Sequence, residues 1–475
     1  MTLPAPGGVA HPFPMPFDPS TKDTIAAIST PLGLAGIGIV RISGPDAKSI
    51  SRRIFRPKRA VHTFQSHRLY LGHFIDPDTG GTLDEVLLSV MGAPCSYTRE
   101  DVVEINSHSG YLLLSQILQI VLKQGARLAE PGEFTFRAFM NGRIDLSQAE
   151  AIMDVIRSPS ERGLRLAADQ MEGRFRKSVE HLRQKTVEYL ARLEVGIDYP
   201  EEAPDALPGA DQMEEELIKP IRDLIGGHAQ RKIWMEGVKT VIVGRVNAGK
   251  SSLLNRLLNE ERALVTPIPG TTRDVIESTL YIEGLPLRLM DTAGFRRGKG
   301  TLEKMGMDLT RQKIEAADLI LVVMDRSRPL REDELHMVDQ IVEKRSVVIL
   351  NKMDLPSKLR EEDLKAAVGG NPLVRISALT GEGIEELRRV IRALVLEGDK
   401  AEAEPTIAPN MRQKLALEEA CRCLTRAAQN LRDGMPLEIV AVDLNEGLSA
   451  LGEITGETAT EEILDRIFSQ FCLGK

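Results

Sequence analysis

"VKTVIVGRVNAGKSSLLNRLL" (residues 238–258) decides the fold of the central third of the chain. A β-branched apolar run breaks into a glycine-bearing loop, and the loop opens onto a leucine-rich amphipathic stretch, so the order is strand, loop, helix. From Gly244 to Ser251 the loop fits GxxxxGK[ST]. Glycines there let backbone N–H groups wrap a phosphate, and the helix N-terminus favours the anion. Lys250 reaches β- and γ-phosphates and Ser251 ligates Mg²⁺. Asn247, Ala248, Gly249 and Ser252 complete the expected cradle.

Working outward, four more fragments follow in order, each at or after a strand-like run. "PGTTRD" (269–274) offers Thr272 to the Mg²⁺ shell. "LRLMDTAG" (287–294) puts Asp291 at a strand end, able to hold Mg²⁺ through water, with Thr292, Ala293 and the Gly294 N–H facing the γ-phosphate. "SVVILNKMD" (346–354) ends in Asn351, Lys352, Met353 and Asp354. A carboxylate at Asp354 accepts the paired N1–H and exocyclic amine of guanine, which adenine lacks. "RISALTGEG" (375–383) sets Ser377, Ala378 and Leu379 beside the base. Five fragments in this order imply GTP. Phe295 stands where a Ras-like glutamine positions water, so another loop residue, a metal ion or a partner must act there. The Asn247 carbonyl is one candidate, through a monovalent cation near the β–γ bridge.

The 475 residues, 42% hydrophobic and 27% charged, suit a soluble chain of several domains. A net charge of −8 excludes a blanket nucleic-acid binder. Apolar runs such as "LILVVM" (319–324) are strand-sized, too short for a bilayer. Four cysteines without CxxC spacing point to a reduced, cytoplasmic setting and no membrane. Residues 1–23, rich in proline, read as a disordered extension. Residues 24–127 mix strands and helices, an α+β domain. From 128 to 237 the period is helical; in "LSQAEAIMDVI" Leu146, Ala149, Ile152, Met153 and Ile156 share a face. An α/β module spans 238–396, and amphipathic helices return over 397–475. The simplest way to bury them is against the earlier helices, making one split helical domain with the α/β module inserted. The tail "CLGK" (472–475) fails as a prenylation box, since glycine and lysine hold its last two places. Its helix is expected to run to Phe471, capped at Thr458 or Thr460.

The P-loop "GRVNAGKSSLLN", the "PGTTRD", "DTAG" and "NKMD" fragments, "GIGIVRISG" (36–44), "PGEFTFRAFMNGRIDLSQAEAI" (131–152) and "EITGETATEEILDRIFSQFCLGK" (453–475) together resemble the MnmE (TrmE) family of bacterial tRNA-modification GTPases from Thr24 to Lys475. The resemblance implies a multidomain α/β fold: an N-terminal α+β domain that binds tetrahydrofolate and dimerises, a split helical domain, and an inserted Ras-like G domain. It implies a homodimer that joins an MnmG-type FAD protein in a heterotetramer and modifies C5 of the tRNA wobble uridine. The one-carbon donor would be 5-formyl- or 5,10-methylene-tetrahydrofolate. GTP hydrolysis would need Mg²⁺ and K⁺, with K⁺ held by Asn247, Thr266, the Ile268 backbone and Thr271 in the GTP-contacting run Thr266, Pro267, Ile268, Pro269, Gly270, Thr271, Thr272. Glu303 would orient the attacking water, alongside Asn247 and Lys250 in catalysis. Folate contacts would fall on Arg41, Glu104, Arg143 and Lys475, with Cys472 as a possible reactive thiol. At Arg143 the family often has lysine; arginine keeps the charge and changes the donor geometry.

By themselves, Arg41 reads as a strand-end charge and Glu104 as a solvent-facing strand residue. His108 is a loop histidine of catalytic or merely polar role, and Arg162, Arg165, Arg174, Arg176 and Lys177 are an RNA-facing strip or the wet side of helices. An Era-like RNA-binding or ribosome-assembly GTPase is the alternative, yet residues after 400 show neither a KH-like pattern nor a basic excess. A membrane-remodelling GTPase would need a lipid-inserting element, and none is visible.

Overall fold

The computed structural model describes residues 23–199, 209–260, 278–290, 314–339, 341, 344–359, 368, 370–396 and 407–475. They fall into two compact units, one drawn from Met1–Met153, Met171–Ile218 and Glu419–Lys475, the other from Asp154–Gln170 and Lys219–Glu418.

In the first unit, β1 (Ile25–Ile28), β2 (Gly38–Ser43), β3 (Phe55–Pro57), β4 (Arg68–Ile75), β5 (Thr82–Met91), β6 (Val102–Ser107) and β7 (Arg127–Leu128) make one sheet, ordered β3-β4-β5-β6-β2-β1-β7. The pairs are antiparallel except β1 with β7. Alternating apolar residues Val40, Ile42, Leu88, Val103 and Ile105 bury one face together with the apolar sides of helices Ala47–Ile54 and Tyr111–Lys123. The other face carries a smaller cluster of Ile25, Ala27, Ala129 and Phe134 with Tyr97 against it. The register sets Arg41 opposite both Ala27 and Glu104, so the two charges stand on that second face.

Helix Leu146–Arg157 begins with a reciprocal cap: Gln148 N–H donates to Asp145 Oδ1 (2.8 Å) and Asp145 N–H to Gln148 Oε1 (3.0 Å). Leu146, Ala149 and Met153 bury against Phe136, Phe468 and Phe471 as the periodicity requires. Ile156 does not join them and is 45% exposed. The long helix Arg174–Asp198 buries Phe175, Val179, Leu182, Thr186, Tyr189 and Leu193, spaced three or four apart, and packs against helix Leu437–Thr455. The last helix, Glu461–Phe468, starts after Thr460, whose backbone is extended and whose side chain makes no capping bond. It ends three residues before the expected Phe471. The rings of Phe468 and Phe471 stack (5.8 Å between centroids), and both side chains are buried.

In the second unit, β8 (Val238–Val243), β9 (Ser278–Ile282), β10 (Leu285–Leu289), β11 (Leu319–Asp325), β12 (Ser346–Asn351) and β13 (Leu373–Arg375) are ordered β13-β12-β11-β8-β10-β9. All pairs are parallel except β9 with β10. β11 and β12 are buried along their whole length, which explains their unbroken apolar sequences. β8 sits where the strand order reverses, the place at which open α/β sheets bind ligands beyond their carboxyl ends. Among the described residues, no helix is long and apolar enough to cross a membrane.

Candidate functional site

The loop leaving β8 is held in a shape that only its own residues allow. Gly244 has φ +142°, and a Cβ there would lie 2.2 Å from the Val323 carbonyl oxygen. Gly249 has φ +100°, and a Cβ would lie 2.1 Å from Asn351 Nδ2. Asn247, exposed between them, takes φ +66°, a left-handed geometry that asparagine tolerates better than most residues. Lys250 opens helix Lys250–Glu260 and arches back over the loop, donating to the carbonyls of Gly244 (2.6 Å) and Arg245 (2.7 Å). Burial pushes its ammonium pKa down. A cation that has lost part of its water and holds only neutral carbonyls gains strongly from an arriving polyphosphate. Ser251 and Ser252 are exposed at the start of the same helix.

The base-side residues are joined to this loop by one side chain. Asn351, 2% exposed at the end of β12, donates from Nδ2 to the Ala248 carbonyl (2.9 Å) and accepts from Ala378 N–H (3.0 Å). Asp354 is exposed, and its Oδ1 accepts from Ser377 Oγ–H (2.6 Å). Met353 N–H donates to the Ile376 carbonyl (3.1 Å), fastening the two loops together. Lys352, at φ +68°, donates to Asp325 Oδ2 (2.6 Å). Burial raises the Asp325 pKa, but hydrogen bonds from Lys352 and Ser327 outweigh it and hold the carboxyl below its usual range. Leu379 is 76% exposed beside buried Ser377 and Ala378, and the Ala378 and Leu379 carbonyls accept from Arg256.

The sequence reading missed Asp325 and Arg256. Asp325 had a signal, as the one charge closing the apolar run of β11; Arg256 had none. Of the predicted residues, Thr266, Pro267, Ile268, Pro269, Gly270, Thr271, Thr272, Asp291, Thr292, Ala293, Gly294 and Glu303 lie outside the described residues. The expected Mg²⁺ pair is therefore described only at Ser251 and the expected K⁺ set only at Asn247. Among the described residues, no three His, Cys, Asp or Glu side chains gather as a metal cluster.

A second constellation lies on the Tyr97 face of the first unit. Arg41 Nε donates to Glu104 Oε1 (2.8 Å), and Arg41 Nη1 donates to the carbonyl of Gly474 (3.3 Å), 433 residues along the chain. Ser29 Oγ–H donates to the same carbonyl (3.1 Å). Gly474 needs its φ of +87° and its missing side chain, because a Cβ would meet the Ile28 carbonyl oxygen at 2.3 Å. The Arg41 guanidinium lies over Tyr97 (5.4 Å) and Phe134 (5.6 Å), and that of Arg143 lies over the same Tyr97 ring (4.8 Å). Lys475 is half-buried; burial and the neighbouring Arg41 charge lower its pKa. Cys472 is exposed, and its carbonyl accepts from Lys475 N–H (3.2 Å). All four residues expected around a folate thus meet in one unit, joined by Tyr97, Phe134 and Ser29, which sequence reasoning did not single out.

The remaining candidates lie elsewhere, with Arg165 and Lys177 exposed on their helices. His108 Nδ1 lies 2.8 Å from Asp84 Oδ1, and the His108 backbone N–H donates to the other Asp84 oxygen. Arg162 stacks on Trp234 (4.7 Å), Arg174 lies 3.8 Å from Glu172, and Arg176 lies 3.5 Å from Asp145.

The chain matches the GTP-binding protein TrmE N-terminus over residues 24–143 and the MnmE helical domain over residues 146–472. It is 46% identical over 458 residues to the tRNA modification GTPase MnmE of Geobacillus kaustophilus, covering 95% of this chain and 99% of that one. The Bacillus licheniformis protein of the same name is 44% identical over 463 residues, covering 95% and 100%. Among solved structures, the G domain of the T. maritima FeoB iron transporter covers 33% of this chain and 98% of its own length, at 27% identity and a TM-score of 0.26. With one family description spanning 146–472 and relatives near 45% identity over almost the whole length, the chain belongs to the MnmE family of tRNA modification GTPases.

Proposed function

We propose that this member of the family is a potassium-activated GTPase working with an MnmG-type FAD protein. The pair installs an aminomethyl or carboxymethylaminomethyl group at C5 of the tRNA wobble uridine. The carbon comes from 5-formyl- or 5,10-methylene-tetrahydrofolate. The carrying observation is the meeting of Gly474 with the Arg41–Glu104 pair. A plain GTP switch has no use for a C-terminal tail docked on another domain's charged strand pair. The proposal includes the bounds 24–127 for the folate domain, 128–237 and 397–475 for the helical domain and 238–396 for the G domain, acting as a homodimer in the cytoplasm.

In this reading Lys250 leaves the Gly244 and Arg245 carbonyls to meet the phosphates, and Asp354, oriented by Ser377, accepts from guanine. Ser251 with Thr272 would hold Mg²⁺, which supplies charge neutralisation between the β- and γ-oxygens. Asn247, turned outward by its left-handed backbone, would hold K⁺ with Thr266, Ile268 and Thr271; that cation supplies positive charge at the β–γ bridge, as an arginine finger does. Glu303 would orient the water that Phe295 cannot. In the other unit Glu104 suits the N–H donors of a pterin, while Arg41 and Arg143 offer charge and a stacking plane with Tyr97.

The test is calorimetric binding of 5-formyltetrahydrofolate to the intact chain and to a chain ending at Gly474. Losing a charge-assisted contact worth about 1.5–3 kcal/mol weakens binding about 10- to 100-fold. An intact chain that binds no folate overturns this part of the proposal.

A further inference from the structure

The Tyr97 site does not stop at Arg143. A cleft of about 480 Å³ continues past it, lined by His67, Cys95, Tyr97, Arg99 and Arg143 among others. Its charged side chains are all basic. Arg143 and Arg99 have no carboxylate within ion-pairing distance among the described residues; Arg143 stacks on Tyr97 and Arg99 Nη1 donates to the Asn141 carbonyl (2.9 Å). A Cβ on Gly142 would sit 3.6 Å from Arg99 Nη1, so the two arginines flank one short turn. Arg99 and His67 both hold left-handed backbones (φ +61° and +60°), a conformation histidine tolerates better than most residues and arginine seldom takes. The neighbouring acids are committed elsewhere: Asp101 to Lys48 (2.6 Å) and to Ala93 N–H, Glu100 to Arg137 and Ser43.

The constellation is thus polar in its chemistry. The Arg41 end of the site holds one carboxylate, Glu104, paired with Arg41, whereas the cleft lined by Arg99 and Arg143 holds no carboxylate among its described lining residues. We propose that the His67–Arg99–Arg143 cleft binds the anionic γ-linked oligoglutamate tail of a reduced folate, making the polyglutamylated form the preferred ligand. This rests on the folate reading above and names the form of folate taken. The tail adds one carboxylate per residue, and an extended peptide-like chain needs no enclosed pocket. Because Arg99 and Arg143 are exposed, each pairing contributes modestly and is screened by salt.

The test compares 5-formyltetrahydrofolate carrying one glutamate with the same compound carrying four, on the full-length chain at low and high salt. The expected result is about 3- to 10-fold tighter binding of the longer form at low salt, largely lost at 0.5 M salt. Arg99→Gln is expected to erase that gain and leave the monoglutamate affinity unchanged, with Arg99→Lys restoring the gain. Equal affinity for both forms, or a gain that survives Arg99→Gln, overturns the tail proposal while leaving the folate site standing. Failure of both forms to bind overturns the folate reading beneath it. Loss of tRNA affinity in Arg99→Gln without any change in the folate comparison also overturns the proposal and assigns the cleft to RNA.

Discussion

Replacing Asn351 by alanine isolates the side chain that ties the phosphate loop to the base-recognition loop. The wild-type amide satisfies two backbone groups at once, the Ala248 carbonyl and the Ala378 N–H. Ala248 is 1% exposed and Ala378 6%, so neither group finds bulk water when the amide goes. Each buried group left unsatisfied costs about 1–3 kcal/mol, giving about 2–6 kcal/mol for the pair. For a unit of this size that is roughly 4–24 °C in melting temperature. Denaturant unfolding followed through Trp234, which lies in the same unit, reads the loss; titration with GTP reads the second consequence, a weaker nucleotide site, because both orphaned groups line it. Asn351→Asp keeps the acceptor for Ala378 N–H and places a carboxylate against the Ala248 carbonyl, so it should fall no less far. A loss under about 0.5 kcal/mol with normal GTP affinity would refute the claim that this amide organises the site.

Three further outcomes follow from the geometry. Asp354→Asn presents an amide donor where the proposed guanine contact calls for a carboxylate accepting two N–H groups, so GTP affinity should fall by on the order of 10²-fold or more and xanthosine triphosphate should bind in preference; unchanged GTP preference in a competition assay counts against the base assignment. Gly249→Ala should abolish GTP binding in a fluorescent-nucleotide titration, since its Cβ has a 2.1 Å approach to Asn351 Nδ2 and a left-handed backbone to overcome. Arg137→Ala removes the cation that Asp23, Glu100 and Glu133 share, leaves Arg127 on Asp23 and Glu133, and should cost about 1.5–3 kcal/mol near neutral pH. Burial raises the Asp23 pKa, but Arg127 and Arg137 together hold it below its ordinary value. Asp23 therefore stabilises the fold above its unfolded pKa of about 3.9, and that contribution disappears as pH falls through the lower folded value. The variant should show a shallower loss of stability below about pH 4, and parallel acid-unfolding curves would contradict this.

The second unit was largely legible because its constraints are local. Strand ends, glycines and the NKMD aspartate announce themselves within a few residues of sequence, and the parallel sheet reads as unbroken apolar runs. What stayed hidden were partners brought in by topology. Asp325 fixes Lys352 across adjacent parallel strands, and no spacing in one segment reports that pairing. The Tyr97 site shows the same limit more strongly. Arg41 and Glu104 read as ordinary strand charges until the antiparallel register sets them face to face, and Gly474 reaches them from the far end of the chain. Family resemblance pointed to Arg41, Glu104, Arg143 and Lys475; periodicity pointed to none of them. The last helix ends early as the backbone bonds tighten to Gln470 N–H on the Ile467 carbonyl (3.3 Å) and Phe471 N–H on the Phe468 carbonyl (3.1 Å), which a helical pattern of apolar residues cannot distinguish from one more helical turn.

The central claim is that Asn247 serves a potassium ion in GTP hydrolysis. The direct measurement is single-turnover GTP hydrolysis by the full-length protein in KCl and in NaCl at equal ionic strength, repeated for Asn247→Ala. A well-placed charge on the developing transition state is worth about 10²–10³ in rate. The account predicts acceleration of that order in K⁺ and its disappearance in the variant; equal rates in the two salts for the wild-type protein would contradict it.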